Sequence, residues 1–255
     1  MMQLFNLKGR TALVTGSGQG IGRSIALALA ENGARVIINW RGNDRTAQET
    51  KDALDAMGAE YLCWRYDLAS DTLKEDFEAF CKENNVQVDI LVHNASVQVR
   101  KGWEEVTNEE FDFQMHINVR ASLVLAQCCV PHMRAQKWGR IVTVGSVQQN
   151  RPNTAMIVYA ASKSAQLNMV RTLAVQLSAE GITVNNLAPG CIETIRNVEA
   201  LSDPAYRKKI ENVIPVGFIG QPDDLAGAAL LLCSDAGRYI TGADFLVDGG
   251  MSLPC

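Results

Sequence analysis

No run of about 18 uninterrupted apolar residues occurs in the 255 positions, so a membrane-spanning helix is not expected. Residues 1–10 are too few and too mixed for a secretory leader. Like charges never form a block. The 24 Lys+Arg are interspersed with 28 Asp+Glu for a formal charge of -4, so a footprint for nucleic-acid phosphates is missing. Cys63, Cys81, Cys128, Cys129, Cys191, Cys233 and Cys255 include no C-x-x-C pair, and His93, His116 and His132 lack metal-ligand spacing. A zinc site is therefore not expected. The odd cysteine count reads as reduced, mostly buried thiols of a cytoplasmic protein. Linkers, internal repeats and low-complexity tracts are also missing, which leaves one domain over residues 1–255. Its partner is then a small molecule rather than a nucleic acid or a membrane.

What is present is an ordinary globular balance, 47% hydrophobic against 20% charged residues. It is laid out in alternating segments. Residues 11–15, 35–40, 61–66, 88–93, 140–145, 182–187 and 243–247 read as short apolar strands. Residues 21–32, 44–57, 71–85, 108–136, 156–180, 204–212 and 222–234 read as helices. The first helix carries Ile21, Ile25 and Leu29 on one face and stops before Gly33. Pro131 weakens the expectation for the last turns of 108–136. Strands apolar along their whole length are buried on both faces. Seven of them alternating with helices predict an α/β fold, a doubly wound seven-stranded parallel sheet of Rossmann type.

The first strand runs into Thr15-Gly16-Ser17-Gly18-Gln19-Gly20-Ile21-Gly22 and then a helix. Glycines at such a turn let the backbone approach a pyrophosphate, whose charge the helix N-terminus favours. The spacing is not G-x-G-x-x-G, whose third glycine would fall on Ile21 or Arg23. Nor is it a P-loop, because no Gly-Lys pair follows. T-G-x-x-x-G-x-G fits, with Gly16, Gly20 and Gly22.

That loop resembles the one in short-chain dehydrogenases/reductases, and further motifs of the family follow in order along nearly the whole chain. They are Tyr66-Asp67-Leu68 after the third strand, His93-Asn94-Ala95-Ser96 after the fourth, Pro189-Gly190 after the sixth, and Val247-Asp248-Gly249-Gly250 near the C-terminus. The usual fourth-strand motif is Asn-Asn-Ala-Gly, so His93 and Ser96 depart from it. Tyr159 and Lys163 sit at i and i+4 of a predicted helix, on one face, 13 residues after Ser146. The resemblance implies a catalytic tetrad of Asn118, Ser146, Tyr159 and Lys163. It also implies a nicotinamide cofactor held by Gly16, Ser17, Gln19, Gly20, Ile21, Asn39, Trp40, Arg41, Asp67, Leu68, Asn94, Ala95, Tyr159, Lys163, Pro189, Gly190, Ile192 and Thr194. Asp67 would meet the adenine, Thr194 the carboxamide and Lys163 the ribose hydroxyls, while Asn118 would hold a relay water.

The chemistry accounts for the residue types. Moving a hydride to or from a carbinol carbon requires a proton to leave or reach its oxygen. A phenol ordinarily titrates near pKa ~10, and a lysine charge ~4 Å away is worth ~4 kcal/mol to a phenolate at an effective dielectric of ~20. Ser146 would hold the substrate oxygen. The second strand ends Asn39-Trp40-Arg41, without the carboxylate that pairs with a ribose 2′-hydroxyl, so NADP is favoured over NAD through Arg41.

The segment 191–219 would cap the substrate. Gln98, Arg100, Trp103, Gln148, Gln149, Asn153, Arg196 and Asn197 are expected around it, with the stretch 213–219. For substrate contact proper, Ser146, Gln148, Asn153, Tyr159 and Arg196 are the candidates. An amide-rich lining suits a sugar, sugar acid or polyol, as in the gluconate 5-dehydrogenase-like members. The alternative is a 3-oxoacyl-carrier-protein reductase, with Arg100 and Lys101 as a docking patch. A non-catalytic NAD(P)-binding regulator is the reading from another class. The resemblance further implies a homotetramer built through the two long helices.

Overall fold

The computed structural model describes residues 3–253. Seven strands, β1 (Thr11–Val14), β2 (Arg35–Trp40), β3 (Tyr61–Arg65), β4 (Ile90–His93), β5 (Gly139–Val144), β6 (Ile182–Pro189) and β7 (Asp244–Val247), form one sheet in the order β3-β2-β1-β4-β5-β6-β7. Every pairing is parallel. Alternate side chains feed two cores. Leu13, Ile37, Leu91, Ile141 and Val184 pack under α3 (Leu73–Glu83), α5 (Ala121–Gln136) and α6 (Ile157–Leu177). Ala12, Val14, Val36, Ile38 and Val92 pack under α1 (Gly20–Glu31), α2 (Asp44–Ala56) and α9 (Ala226–Cys233). This is the doubly wound sheet the strand pattern implies, and helices on both faces explain why its central strands carry continuous apolar runs. Strand order reverses between β1 and β4, which opens a crevice at the carboxyl ends of those strands.

Departures from the sequence pattern are local. The helix read over 108–136 is α4 (Asn108–Met115) and α5, joined by a π turn at His116–Arg120 whose widened bond runs from the Ala121 N–H to the His116 carbonyl. Such turns interrupt helices at functional sites. Pro131 does not end α5, because burial of Leu125, Cys129 and Met133 anchors the turns on either side of it. The capping region holds α7 (Ile195–Leu201) and α8 (Pro204–Glu211). Only α8 was legible, since Ile195 and Val198 are exposed and leave α7 with a single buried apolar side chain, Leu201. Among the described cysteines only Cys129 and Cys233 are buried; Cys63 is exposed, the others lie between, and none is in a disulfide. The thiols are therefore less buried than expected: Cys81 on α3 and Cys128 on α5 are only partly covered at the edge of the core, and Cys191 lines a cleft. Cys255 is outside the described residues.

Candidate active site

A cleft of about 490 Å³ occupies the crevice, a size typical of small-molecule sites. The glycine loop forms its floor and is knitted to the end of β4. Thr15 Oγ1 accepts from the N–H groups of Asn94 (3.0 Å) and Ala95 (2.9 Å), while Asn94 Nδ2 donates to the carbonyls of Thr15 (2.9 Å) and Gly16 (3.2 Å). Gly16 turns with φ +64, in the left-handed region. Gly22 admits no side chain, since a Cβ there would lie 2.4 Å from Asn94 Nδ2 and 2.5 Å from the Gly16 carbonyl oxygen. The cap residue of α1, Gln19, is extended and makes no capping bond. The first amides of the helix therefore stay available to an anion.

Gly16, Gln19, Gly20 and Ile21 line the cleft; Ser17 does not. Its N–H donates to the Asn39 carbonyl (2.8 Å), its hydroxyl donates to the Val14 carbonyl (2.7 Å) and accepts from the Asn39 N–H (3.0 Å). With these groups turned inward, Ser17 braces the loop against β2.

At the far end of the cleft lie Asn39, Trp40, Arg41, Asp67 and Leu68. Asn39 is buried and committed: Oδ1 accepts from the Gly16 N–H (3.2 Å), and Nδ2 donates to the carbonyls of Trp64 (3.0 Å) and Tyr66 (3.2 Å). It holds the loop against β3. Trp40 Nε1 is likewise spent on Asp44 (2.8 Å). Arg41 is the cation at this end, half-exposed, 3.6 Å from Asp67 and 5.8 Å from the centre of the Phe113 ring. Gly42, Asn43 and Thr46 also line this end and escaped the sequence reading. The only hint of them was their place where β2 turns into α2.

The opposite wall carries Ser146 and Tyr159. Ser146 follows β5 by two residues and its Oγ accepts from the Gln148 N–H (3.2 Å). Tyr159 lies in the first turn of α6, with Ser162 Oγ bonded to its carbonyl (2.7 Å). Lys163, one turn on, places its ammonium 5.7 Å from the Tyr159 ring centre. Lys163 and Asn118 do not line the cleft but stand behind it, fully buried. The ammonium donates to the Val144 carbonyl (2.7 Å) and to Gln166 Oε1 (2.8 Å). Burial, followed by the charge of Arg196, pushes Lys163 down to about 7.

Asn118, inside the π turn, grips Val97 with both ends of its amide. Oδ1 accepts from the Val97 N–H (2.8 Å) and Nδ2 donates to the Val97 carbonyl (2.9 Å) and to Ser162 Oγ (3.0 Å). Both its amide hydrogens are used within the protein. His93 is buried on this side. Burial, reinforced by the Lys163 charge, pushes it down to about 3, so the ring is neutral.

Asn94, Ala95, Pro189, Gly190, Ile192 and Thr194 all line the cleft. Thr194 faces the glycine loop, its Cγ2 lying 3.5 Å from where a Gly20 Cβ would be. Of the expected substrate neighbours, Gln98, Arg100, Gln148, Asn153, Arg196 and Asn197 are in place. Trp103 is not, being 68% exposed, and Gln149 turns away to Asp244 (2.7 Å). The stretch 213–219 also misses the cleft, because Ile214 and Ile219 pack with Leu201 in a small core of their own. Met156, Tyr206, Ile210 and Met251 take its place, which makes the wall less amide-rich than expected.

A family model described as Enoyl-(Acyl carrier protein) reductase matches residues 16–252. The chain is 32% identical over 249 residues to 3beta-hydroxysteroid dehydrogenase 1 of Eggerthella lenta, covering 97% of this chain and 95% of that protein. It is 35% identical over 248 residues to 2-dehydro-3-deoxy-D-gluconate 5-dehydrogenase of Bacillus subtilis, covering 96% of each. The solved gluconate 5-dehydrogenase of Burkholderia cenocepacia, in complex with NADP and tartrate, superposes with a TM-score of 0.92 at 32% identity over 99% of both chains.

Proposed function

The chain belongs to the short-chain dehydrogenase/reductase family, as an NAD(P)-dependent oxidoreductase of CH–OH groups, and from that premise we propose that it interconverts a secondary alcohol and a ketone on a sugar, sugar acid or polyol, with NADP favoured over NAD. One observation carries the reading. Ser146 and Tyr159 share the wall of a cleft that ends in the glycine loop, with the Lys163 ammonium directly behind the phenol ring. The cradle suits a nicotinamide dinucleotide. Open amides at the start of α1 and side-chain-free Gly16 and Gly20 accept the pyrophosphate, Asp67 and Leu68 the adenine, and Pro189, Gly190, Ile192 and Thr194 the nicotinamide. When bound, the nicotinamide accepts or supplies the hydride.

The chain's own residues govern the proton and the geometry. Ser146 Oγ only accepts within the protein, so its proton is available to the substrate oxygen. Tyr159 Oη takes the proton from that oxygen during oxidation and returns it during reduction. Lys163 in its charged form favours the phenolate and reaches the ribose by leaving its bonds to Val144 and Gln166. Asn118 positions Val97 and, through Ser162, the turn that carries Tyr159. The segment 191–219 caps the substrate through Arg196, Tyr206 and Ile210.

The B. cenocepacia relative, crystallised with a hydroxy acid, supports a hydroxylated substrate. The carrier-protein reductase reading needs a basic patch beside the cleft, but Lys101 is neutralised by Glu110 at 2.5 Å. Leu123 on α5 and Val175 on α6 are exposed, Val175 by 82%, which supports a homotetramer joined through these helices. The test is a steady-state screen of aldonates, alditols, aldoses and a 3-oxoacyl thioester with both nucleotides. Activity on at least one hydroxylated class is expected, and turnover confined to the thioester would overturn the substrate assignment.

A further inference from the structure

Among the described residues, four charged side chains line the cleft: Arg41, Asp67, Arg100 and Arg196. The first two face one another at the adenosine end. The substrate end is left, among the described residues, with two guanidiniums and no carboxylate. Neither Arg100 nor Arg196 has an acidic partner within ion-pair distance among the described residues, although the chain carries more acids than bases. The two arrive independently. Arg100 follows β4, and Arg196 comes from the first turn of α7 in the capping segment.

Arg196 is held by neutral groups only, Nη2 donating to the Ser96 carbonyl (2.7 Å) and to Ser96 Oγ (3.1 Å). That hydroxyl exists because residue 96 is serine where the resemblance leads one to expect glycine. Among the described residues, the rest of the fork has no hydrogen-bond or ion-pair partner. Its charge reaches the reacting centre, since it helps hold the Lys163 ammonium down.

We propose that Arg100 and Arg196 form a carboxylate subsite, so that the substrate is a hydroxy acid of the aldonate type rather than a neutral sugar or polyol. This rests on Ser146 and Tyr159 marking the reacting centre. A carboxylate matches a guanidinium fork in charge and geometry, whereas a hydroxyl leaves the charge uncompensated. A low-dielectric cleft of one sign also concentrates ligands of the other. Arg196 exchanges its neutral Ser96 contacts for the charged group as the substrate enters, which couples α7 to occupancy of the site. Sugar phosphates offer an anion of the same sign, and the test separates them.

The experiment uses the NADP-loaded enzyme with five- and six-carbon aldonates, their matching alditols and the corresponding sugar phosphates. In the wild type kcat/KM for the best aldonate exceeds that for its alditol at least tenfold, and added salt lowers the ratio. Losing a charge-assisted hydrogen bond corresponds to roughly 10- to 150-fold. Arg196 is exposed, so Arg196→Ala lowers the aldonate-to-alditol ratio about tenfold, chiefly through KM. Arg100→Ala lowers it in the same direction, and Arg196→Lys restores part of the loss, which a folding defect would not allow. Alditols used as well as aldonates, or a ratio unmoved in both alanine variants, overturn the subsite while leaving the proposed dehydrogenase intact. Preference for sugar phosphates overturns the carboxylate assignment. Turnover of 3-oxoacyl thioesters alone overturns both readings.

Discussion

Replacing Arg41 with alanine separates the two nucleotides, because only NADP carries a 2′-phosphate. The guanidinium lies 3.6 Å from Asp67, with the two side chains 55% and 45% exposed. A pair that exposed is worth ~0–1 kcal/mol, so a phosphate displaces Asp67 at little cost. The guanidinium–phosphate hydrogen bond that replaces it is worth ~1.5–3 kcal/mol, or roughly 10- to 150-fold in affinity. Exposure places the loss near the lower end, about tenfold for NADP, with NAD changed far less. Salt weakens NADP binding more in the wild type than in the variant, since screening over ~8 Å acts on the pair the variant lacks. Fluorescence titrations of both nucleotides at two salt concentrations give all these quantities. Equal losses for NAD and NADP would show that Arg41 only shapes the turn after β2, and the preference for NADP would lose its basis.

Other consequences are testable on the free protein. Asn39→Asp sets a carboxylate against the Trp64 and Tyr66 carbonyls in place of two donated bonds; a loss of ~2–4 kcal/mol is expected. Both nucleotides should bind more weakly in that variant, and a variant of wild-type stability with a clean switch to NAD would contradict the bracing role. Gly22→Ala should cost ~1–3 kcal/mol in urea unfolding, because the clash involves the Gly16 backbone as well as Asn94; an undisturbed midpoint would refute the close approach. His93, held at about 3 when folded against ~6.5 unfolded, binds a proton only in the unfolded chain between those values. Stability therefore falls as pH drops from ~6.5 to ~3, by ~1.4 kcal/mol per unit. His93→Leu should remove that share of the slope, and an identical slope in the variant would mean His93 is not buried neutral.

The elements that the sequence declared plainly were those under the simplest physical constraint. Strands such as Arg35–Trp40 are buried along nearly their whole length and carry the apolar run Val36-Ile37-Ile38, so they were readable from composition. The glycine loop was readable because its close approaches to Asn94 exclude side chains. What stayed hidden depends on partners distant in sequence. Nothing near Asn118 announces a π turn; the turn is held by Val97, 21 residues away, and by Ser162, 44 away. Asn39 stands where a cofactor-selecting residue is expected, yet long-range bonds to Trp64 and Tyr66 spend its side chain. Gln149 has the chemistry of a substrate ligand, but Asp244 claims it from β7. Short α7 has too little apolar patterning to be read, and it carries Arg196.

The central claim is that Tyr159 moves the proton while the surrounding cleft binds the nucleotide without it. Tyr159→Phe removes one hydroxyl and keeps the ring in its place on α6. The decisive measurement is kcat of this variant on the best substrate from the screen, alongside its nucleotide affinity. The account predicts turnover reduced by at least a hundredfold, ~2.7 kcal/mol in the barrier, with NADP affinity within about threefold of wild type. A kcat above about one tenth of wild type, with folding and nucleotide binding intact, would contradict it.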